Sequence, residues 1–123
     1  METNNDKNTL IAIKGLLIGE QLSSITFVHD YLQVSFDGRV LTAYVFPEVI
    51  FNNVHFSYKK GGYRDALCSL IAEIVSDILL VEDASLTIVF SSGNKLVFII
   101  APNSIQYEKL ILTKENEIDY IWD

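Results

Sequence analysis

Between Val28 and Phe46 the chain reads V-H-D-Y-L-Q-V-S-F-D-G-R-V-L-T-A-Y-V-F. Leu32, Val34 and Phe36 alternate with Gln33 and Ser35, and a second alternating run follows from Val40. Apolar residues at every second position suit a strand with one buried face. Asp37-Gly38, between the runs, accepts the positive φ angles of a tight turn. The stretch predicts a β-hairpin. Leu22, Ile25 and Phe27 alternate more loosely and predict a strand from Leu22 to Val28 that leads into it. Upstream, residues 1–8 read as a flexible polar tail. Thr9 is placed to cap a short helix or turn over L-I-A-I-K-G-L-L-I-G, where Gly15 and Gly19 work against a long helix.

Beyond Phe46, Pro47 lacks a backbone donor and belongs at an edge, a bulge or the start of a strand. Val49 to Phe51 and Val54 to Tyr58 are strand-like across the turn-tolerant pair Asn52-Asn53. Lys59-Lys60-Gly61-Gly62 is the clearest break. After it, Tyr63 to Ala72 has the spacing of an amphipathic helix, with Ala66, Leu67, Leu70 and Ile71 on one face, and this is the main predicted helix. A strand follows from about Ile74. Leu86 to Phe90 and Lys95 to Ala101 form a second hairpin across Ser91-Ser92-Gly93-Asn94. Tyr107 to Leu112 and Ile118 to Trp122 form a third across K-E-N-E.

The choice of a strand at Ile74 comes from a weak internal repeat. A shift of 53 residues sets Leu17-Ile18-Gly19-Glu20 over Leu70-Ile71-Ala72-Glu73, and Leu22, Ser23, Ile25, Val28 and Asp30 over Val75, Ser76, Ile78, Val81 and Asp83. With two single-residue insertions, Leu32, Val34, Phe36 and Gly38 meet Leu86, Ile88, Phe90 and Gly93. The shared Glu, Ser, Asp and turn Gly carry the match, since apolar positions coincide easily. The resulting expectation is an α+β fold: one antiparallel, hairpin-rich domain over residues 9–123, with one main helix and two pseudo-repeated halves.

Composition narrows the functional classes. A chain of 123 residues buries roughly two-thirds of its unfolded surface, enough for one real core. Sixteen acidic against nine basic side chains leave a net charge of -7 and a surface that disfavours nucleic acid and anionic membranes while attracting a basic protein. Acidity for solubility alone is the plainer reading. Cys68 is the one cysteine, which points to a reducing compartment. The N-terminus M-E-T-N-N-D-K-N lacks the basic and apolar start of a secretory leader, and the run from Leu96 to Gln106 is short for a membrane span. A cytoplasmic protein is expected.

Candidate chemistry is sparse. His29-Asp30 has the residue types of a general base and its orienting carboxylate, but neighbours on a strand point to opposite faces, so a loop-exposed pair is the better reading. His55 falls on a solvent-facing row, and no His spacing suits a metal. Cys68 reads as a small buried core residue rather than a nucleophile activated by Arg64. Gly61-Gly62, flanked by Lys59, Lys60 and Arg64, reads as a turn into the helix, with local anion binding as the alternative; it does not match a phosphate loop. No cofactor, metal or catalytic residue is assigned, and the chain is not read as an enzyme. What remains is acidic and aromatic: Glu82 and Asp83 at the turn into the second hairpin, and Glu115, Glu117, Asp119, Tyr120 and Trp122 near the C-terminus, with Asp123 behind them. Carboxylates interleaved with aromatics suit a protein interface, where the rings anchor and the acids meet a basic partner. A solvated last hairpin whose Trp122 closes the core is the competing reading.

The stretches I-G-E-Q-L-S-S-I-T-F-V-H-D-Y-L-Q-V-S-F-D-G, G-Y-R-D-A-L-C-S-L-I and L-T-I-V-F-S-S-G resemble small bacterial cytosolic proteins of unassigned function. In size, acidity and lack of a catalytic signature the chain also resembles the acidic immunity proteins of contact-dependent and other polymorphic toxin systems. That second resemblance implies a protein that neutralises a basic toxin domain by occlusion. A structural or regulatory module that self-associates through a sheet edge is the first alternative, and a small hydrolase-like enzyme using His29, Asp30 or Cys68 the second.

Overall fold

The computed structural model describes residues 6–100, 109–114 and 117–122. Its first element, α1 (Asp6–Leu17), buries Thr9, Ile13 and Leu17 at four-residue spacing. Thr9 therefore sits inside the helix, which begins before the cap position expected from sequence and takes in residues 6–8. Gly15 lies on the exposed side, where its helix penalty of about 1 kcal/mol is outweighed by burial of the opposite stripe. The helix ends at Gly19, whose φ of 91° is the left-handed stop that glycine adopts without strain.

Strands β1 (Ser24–Val28), β2 (Tyr31–Phe36) and β3 (Arg39–Ala43) follow, with Asp37 and Gly38 at φ 45° and 102° in the predicted turn. Strands β4 (Glu48–Phe51) and β5 (Val54–Phe56) close through Asn52-Asn53, both at positive φ. Helix α2 (Tyr63–Cys68) is shorter than its apolar spacing suggests. Past Cys68 the chain tightens: the N–H groups of Leu70 and Ile71 donate to the carbonyls three residues back, and Ala72 turns left-handed at φ 83°. Ala66, Leu67 and Leu70 are buried as expected, whereas Ile71 is exposed. The main helix is thus α1.

The second half of the chain gives β6 (Val75–Val81), β7 (Ser85–Phe90), β8 (Lys95–Ile99), β9 (Leu110–Lys114) and β10 (Glu117–Trp122). The strand expected at Ile74, the second hairpin and the third are all present; Ala101 and Tyr107, placed in strands from sequence, lie outside the described residues. The turn of the second hairpin is held by Glu73, whose carboxylate accepts from Ser92 at 2.5 Å and from the buried Asn94 side chain at 3.0 Å.

All pairings are antiparallel and make two five-stranded sheets, β1-β2-β3-β9-β10 and β5-β4-β8-β7-β6. The inward residues of both sheets, Leu32, Val34, Phe36, Leu41, Leu110 and Leu112 on one and Val49, Ile78, Leu86, Ile88, Phe90, Leu96 and Phe98 on the other, join the helix stripes in one continuous core. An antiparallel bridge between Gln21 and Ile74 links the lead-in segments of β1 and β6. Around it, Gly19 N–H donates to the Val75 carbonyl (2.8 Å), Leu22 N–H to Glu73 (2.9 Å), Ala72 N–H to Leu22 (2.7 Å) and Val75 N–H to Glu20 (2.9 Å). No helix among the described residues is long and apolar enough to cross a membrane.

Candidate functional site at the edge strand β10

A sheet edge offers unpaired backbone groups, and among the described strands four lie at edges, β1, β5, β6 and β10. Two are flanked by a helix and one is blunted. Helix α2 packs against β1 and lays the Arg64 guanidinium 5.2 Å from the centre of the Phe27 ring. Helix α1 packs against β6, and Lys14 pairs with Asp77 there at 3.2 Å. Strand β5 is three residues long, and Lys60 Nζ donates to the His55 carbonyl at 2.8 Å, occupying a backbone acceptor that a docking strand would need. Strand β10 has six residues and packs chiefly on β9 among the described elements.

The side chains of β10 divide between core and solvent at a bulge. Ile118 stands opposite Thr113, on the outward face, whereas Tyr120 stands opposite the buried Leu112. The extra residue between them, Asp119, accepts from Arg39 Nε at 3.1 Å, with both side chains mostly buried. Tyr120 and Trp122 are half-buried against the core, their ring centroids 6.1 Å apart. Glu117 and Ile118 are exposed, Ile118 to 60%. Of the residues singled out from sequence, Glu117 is therefore presented to solvent, Asp119 is already neutralised by Arg39, and Tyr120 and Trp122 serve the core at least in part. Glu115 and Asp123 lie outside the described residues.

Glu82 and Asp83 occupy the β6–β7 turn in the other sheet, Asp83 at φ 56°, so the two acidic groups do not belong to one sheet. Ile118 was not singled out from sequence. Regular alternation would set it on the face of Tyr120 and Trp122, and only the bulge turns it outward.

The other candidates resolve differently. His29 Nδ1 does meet Asp30 Oδ1, at 2.7 Å, because the pair sits in the β1–β2 turn rather than on a strand. With the imidazole 94% and the carboxylate 81% exposed, the pair stands in solvent. Cys68 is exposed rather than buried, since α2 ends there and its apolar stripe passes through Ala66, Leu67 and Leu70 instead. A depression of about 340 Å³ lies over the Lys59–Asp65 stretch. Its cations already cover rings, Lys59 over Tyr58 at 5.8 Å and Lys60 over Phe56 at 5.5 Å. A side chain at Gly62 would meet the Phe56 ring at 3.1 Å, so the glycine serves a tight turn into α2. Among the described residues no group of His, Cys, Asp or Glu is arranged to hold a metal.

Asp77 carries a clear electrostatic bias. The backbone N–H of Ile78 (2.8 Å) and then Lys14 hold its carboxyl below the usual carboxylate range. A depressed folded-state value stabilises the fold above the unfolded pKa, about 3.9, and that contribution is lost as pH falls through the folded value. Melting temperatures of wild type and Asp77→Asn are expected to differ at pH 7 and to converge on acidification; a constant gap would show that Asp77 acts through something other than its charge. No protein family, curated protein or solved structure matches the chain, and its function is read from its own geometry.

Proposed function

We propose that the protein binds a basic protein partner along β10 and works as a cytoplasmic immunity protein, occluding the active site of a toxin domain. The observation that carries this reading is the β10 edge, six residues long and packed chiefly on β9 among the described elements, where β1 and β6 are flanked by helices and β5 is three residues long and met by Lys60. An extended segment of the partner would add to the sheet through backbone hydrogen bonds, with Ile118 as an apolar contact and Glu117 meeting a cation. The net charge of -7 steers a basic partner toward the surface and raises its association rate at low salt.

The reading predicts an adjoining gene that encodes a toxin domain, and the test is a titration against that domain. The expected result is a one-to-one complex that weakens as salt rises and weakens further with Ile118→Lys. Wild-type affinity in Ile118→Lys would remove β10 as the site, and absence of any complex would remove the partner reading. A second reading, self-association, is favoured by the exposed outer face of the β6-β7-β8 sheet, where Leu79, Val81 and Ile99 are 46%, 56% and 60% exposed. Scattering mass in the same titration separates the two, since self-association doubles the mass without partner.

A further inference from the structure

We infer that the chain is a fused pair of one folding unit, a helix followed by five strands, related by a two-fold axis and completed by exchange of the last hairpin. One sheet is β1-β2-β3 extended by β9-β10; the other is β6-β7-β8 extended by β4-β5. With α1 to β5 as one unit and α2 to β10 as the other, every strand has its counterpart at the same place in the opposite sheet. Each unit builds three strands of its own sheet and lends its fourth and fifth to the other.

The registers agree strand by strand. Ile25 faces Val34 and Val34 faces Leu41; correspondingly, Ile78 faces Ile88 and Ile88 faces Leu96. The lent hairpins join at matching points, Leu41 facing Leu112 and Leu96 facing Val49. Within them, Leu112 faces Tyr120 and Val49 faces Phe56. A slip of one residue at any of these positions would turn an inward side chain outward, so their agreement is a demanding match; the bulges at Ser76 and Asp119, each present in one unit alone, are the departures.

The axis passes through the Gln21–Ile74 bridge. Exchanging Gly19 with Ala72, Glu20 with Glu73 and Leu22 with Val75 carries the four backbone bonds around that bridge onto one another. Gly19 and Ala72 share the same left-handed backbone, at φ 91° and 83°. The helices obey the same exchange, α1 packing on β6 and α2 on β1. These equivalences, drawn from hydrogen bonds and register, are the ones the sequence repeat draws from Glu20 and Glu73, Ser23 and Ser76, Val34 and Ile88, and Gly38 and Gly93.

The inference holds whether or not β10 binds a partner. It also shows where the units have diverged: the three-residue β5 edge, met by Lys60, stands where the six-residue β10 edge stands.

Paired nitroxide labels on the full chain test it, in a Cys68→Ser background because Cys68 is exposed. Under the two-fold, a pair at Val54 and Arg64 is equivalent to a pair at Glu117 and Ile11. A second pair, at Ile11 and Leu79, is equivalent to one at Arg64 and Thr26. All six positions are exposed, so labelling leaves the core intact. The expected result is overlapping distance distributions by pulsed electron paramagnetic resonance within each comparison. Distributions that fail to overlap in either comparison, in variants that keep the parent's circular dichroism, would overturn the two-fold.

Discussion

Leu22→Ala is expected to cost about 2–5 kcal/mol of folding stability, the range for truncating a fully buried leucine whose surroundings relax only in part. Leu22 is 0% exposed, and its backbone donates to Glu73 and accepts from Ala72, so it sits where the two parts of the core meet. A domain of this size is stable by roughly 5–15 kcal/mol, so the loss should move the urea midpoint far down while leaving the slope of the transition unchanged. Ile18→Ala is the contrast, because Ile18 is 40% exposed and its removal leaves no cavity. Equal effects from the two would mean that Leu22 is not packed as described.

The second large effect is expected from Tyr63→Phe. The phenol of Tyr63 is buried and donates to the Pro47 carbonyl at 2.5 Å. Removing the hydroxyl leaves that carbonyl unsatisfied, at a cost of about 1–3 kcal/mol. Burial first, and the neighbouring Tyr58 second, push the Tyr63 hydroxyl above its ordinary value. For a raised folded-state pKa the stabilisation is fully present below the unfolded value near 10 and is lost as pH rises beyond it. Wild type is therefore expected to lose stability in alkali more steeply than Tyr63→Phe. Parallel alkaline profiles for the two proteins would contradict the buried placement of the phenol.

Much of the strand content is legible in the sequence because a half-buried strand writes its period directly. Leu32, Val34 and Phe36 alternate with Gln33 and Ser35, and Asp37-Gly38 and Asn52-Asn53 announce turns that need positive φ. The helices are harder. The stripe Thr9, Ile13, Leu17 is interrupted in the text by Gly15, and only tertiary burial shows that the glycine lies on the outside. In α2 the apolar spacing runs on to Ile71, but spacing carries no record of Ala72 adopting a left-handed backbone that alanine disfavours by about 1–2 kcal/mol. At the candidate site the limit is the bulge. It reverses the face of Ile118 relative to Tyr120, and nothing in E-I-D-Y-I-W marks which residue is the extra one. The pairing of Arg39 with Asp119 is likewise a long-range fact, set by β9 lying between their strands.

The order of strands in the sheets bears on synthesis. The inner edge of β3 waits for β9, so residues 39–43 must remain unpaired on that side until residues 110–114 have been made. During that interval a nascent chain presents a largely apolar strand with a free edge, the kind of surface that pairs with the wrong neighbour. Closing such a distant contact is also slow, since its loop entropy must be met before the contact forms. Cells making this protein quickly or at high temperature would accordingly lose more of it to aggregation than its final stability suggests, and the vulnerable window closes only when β9 arrives.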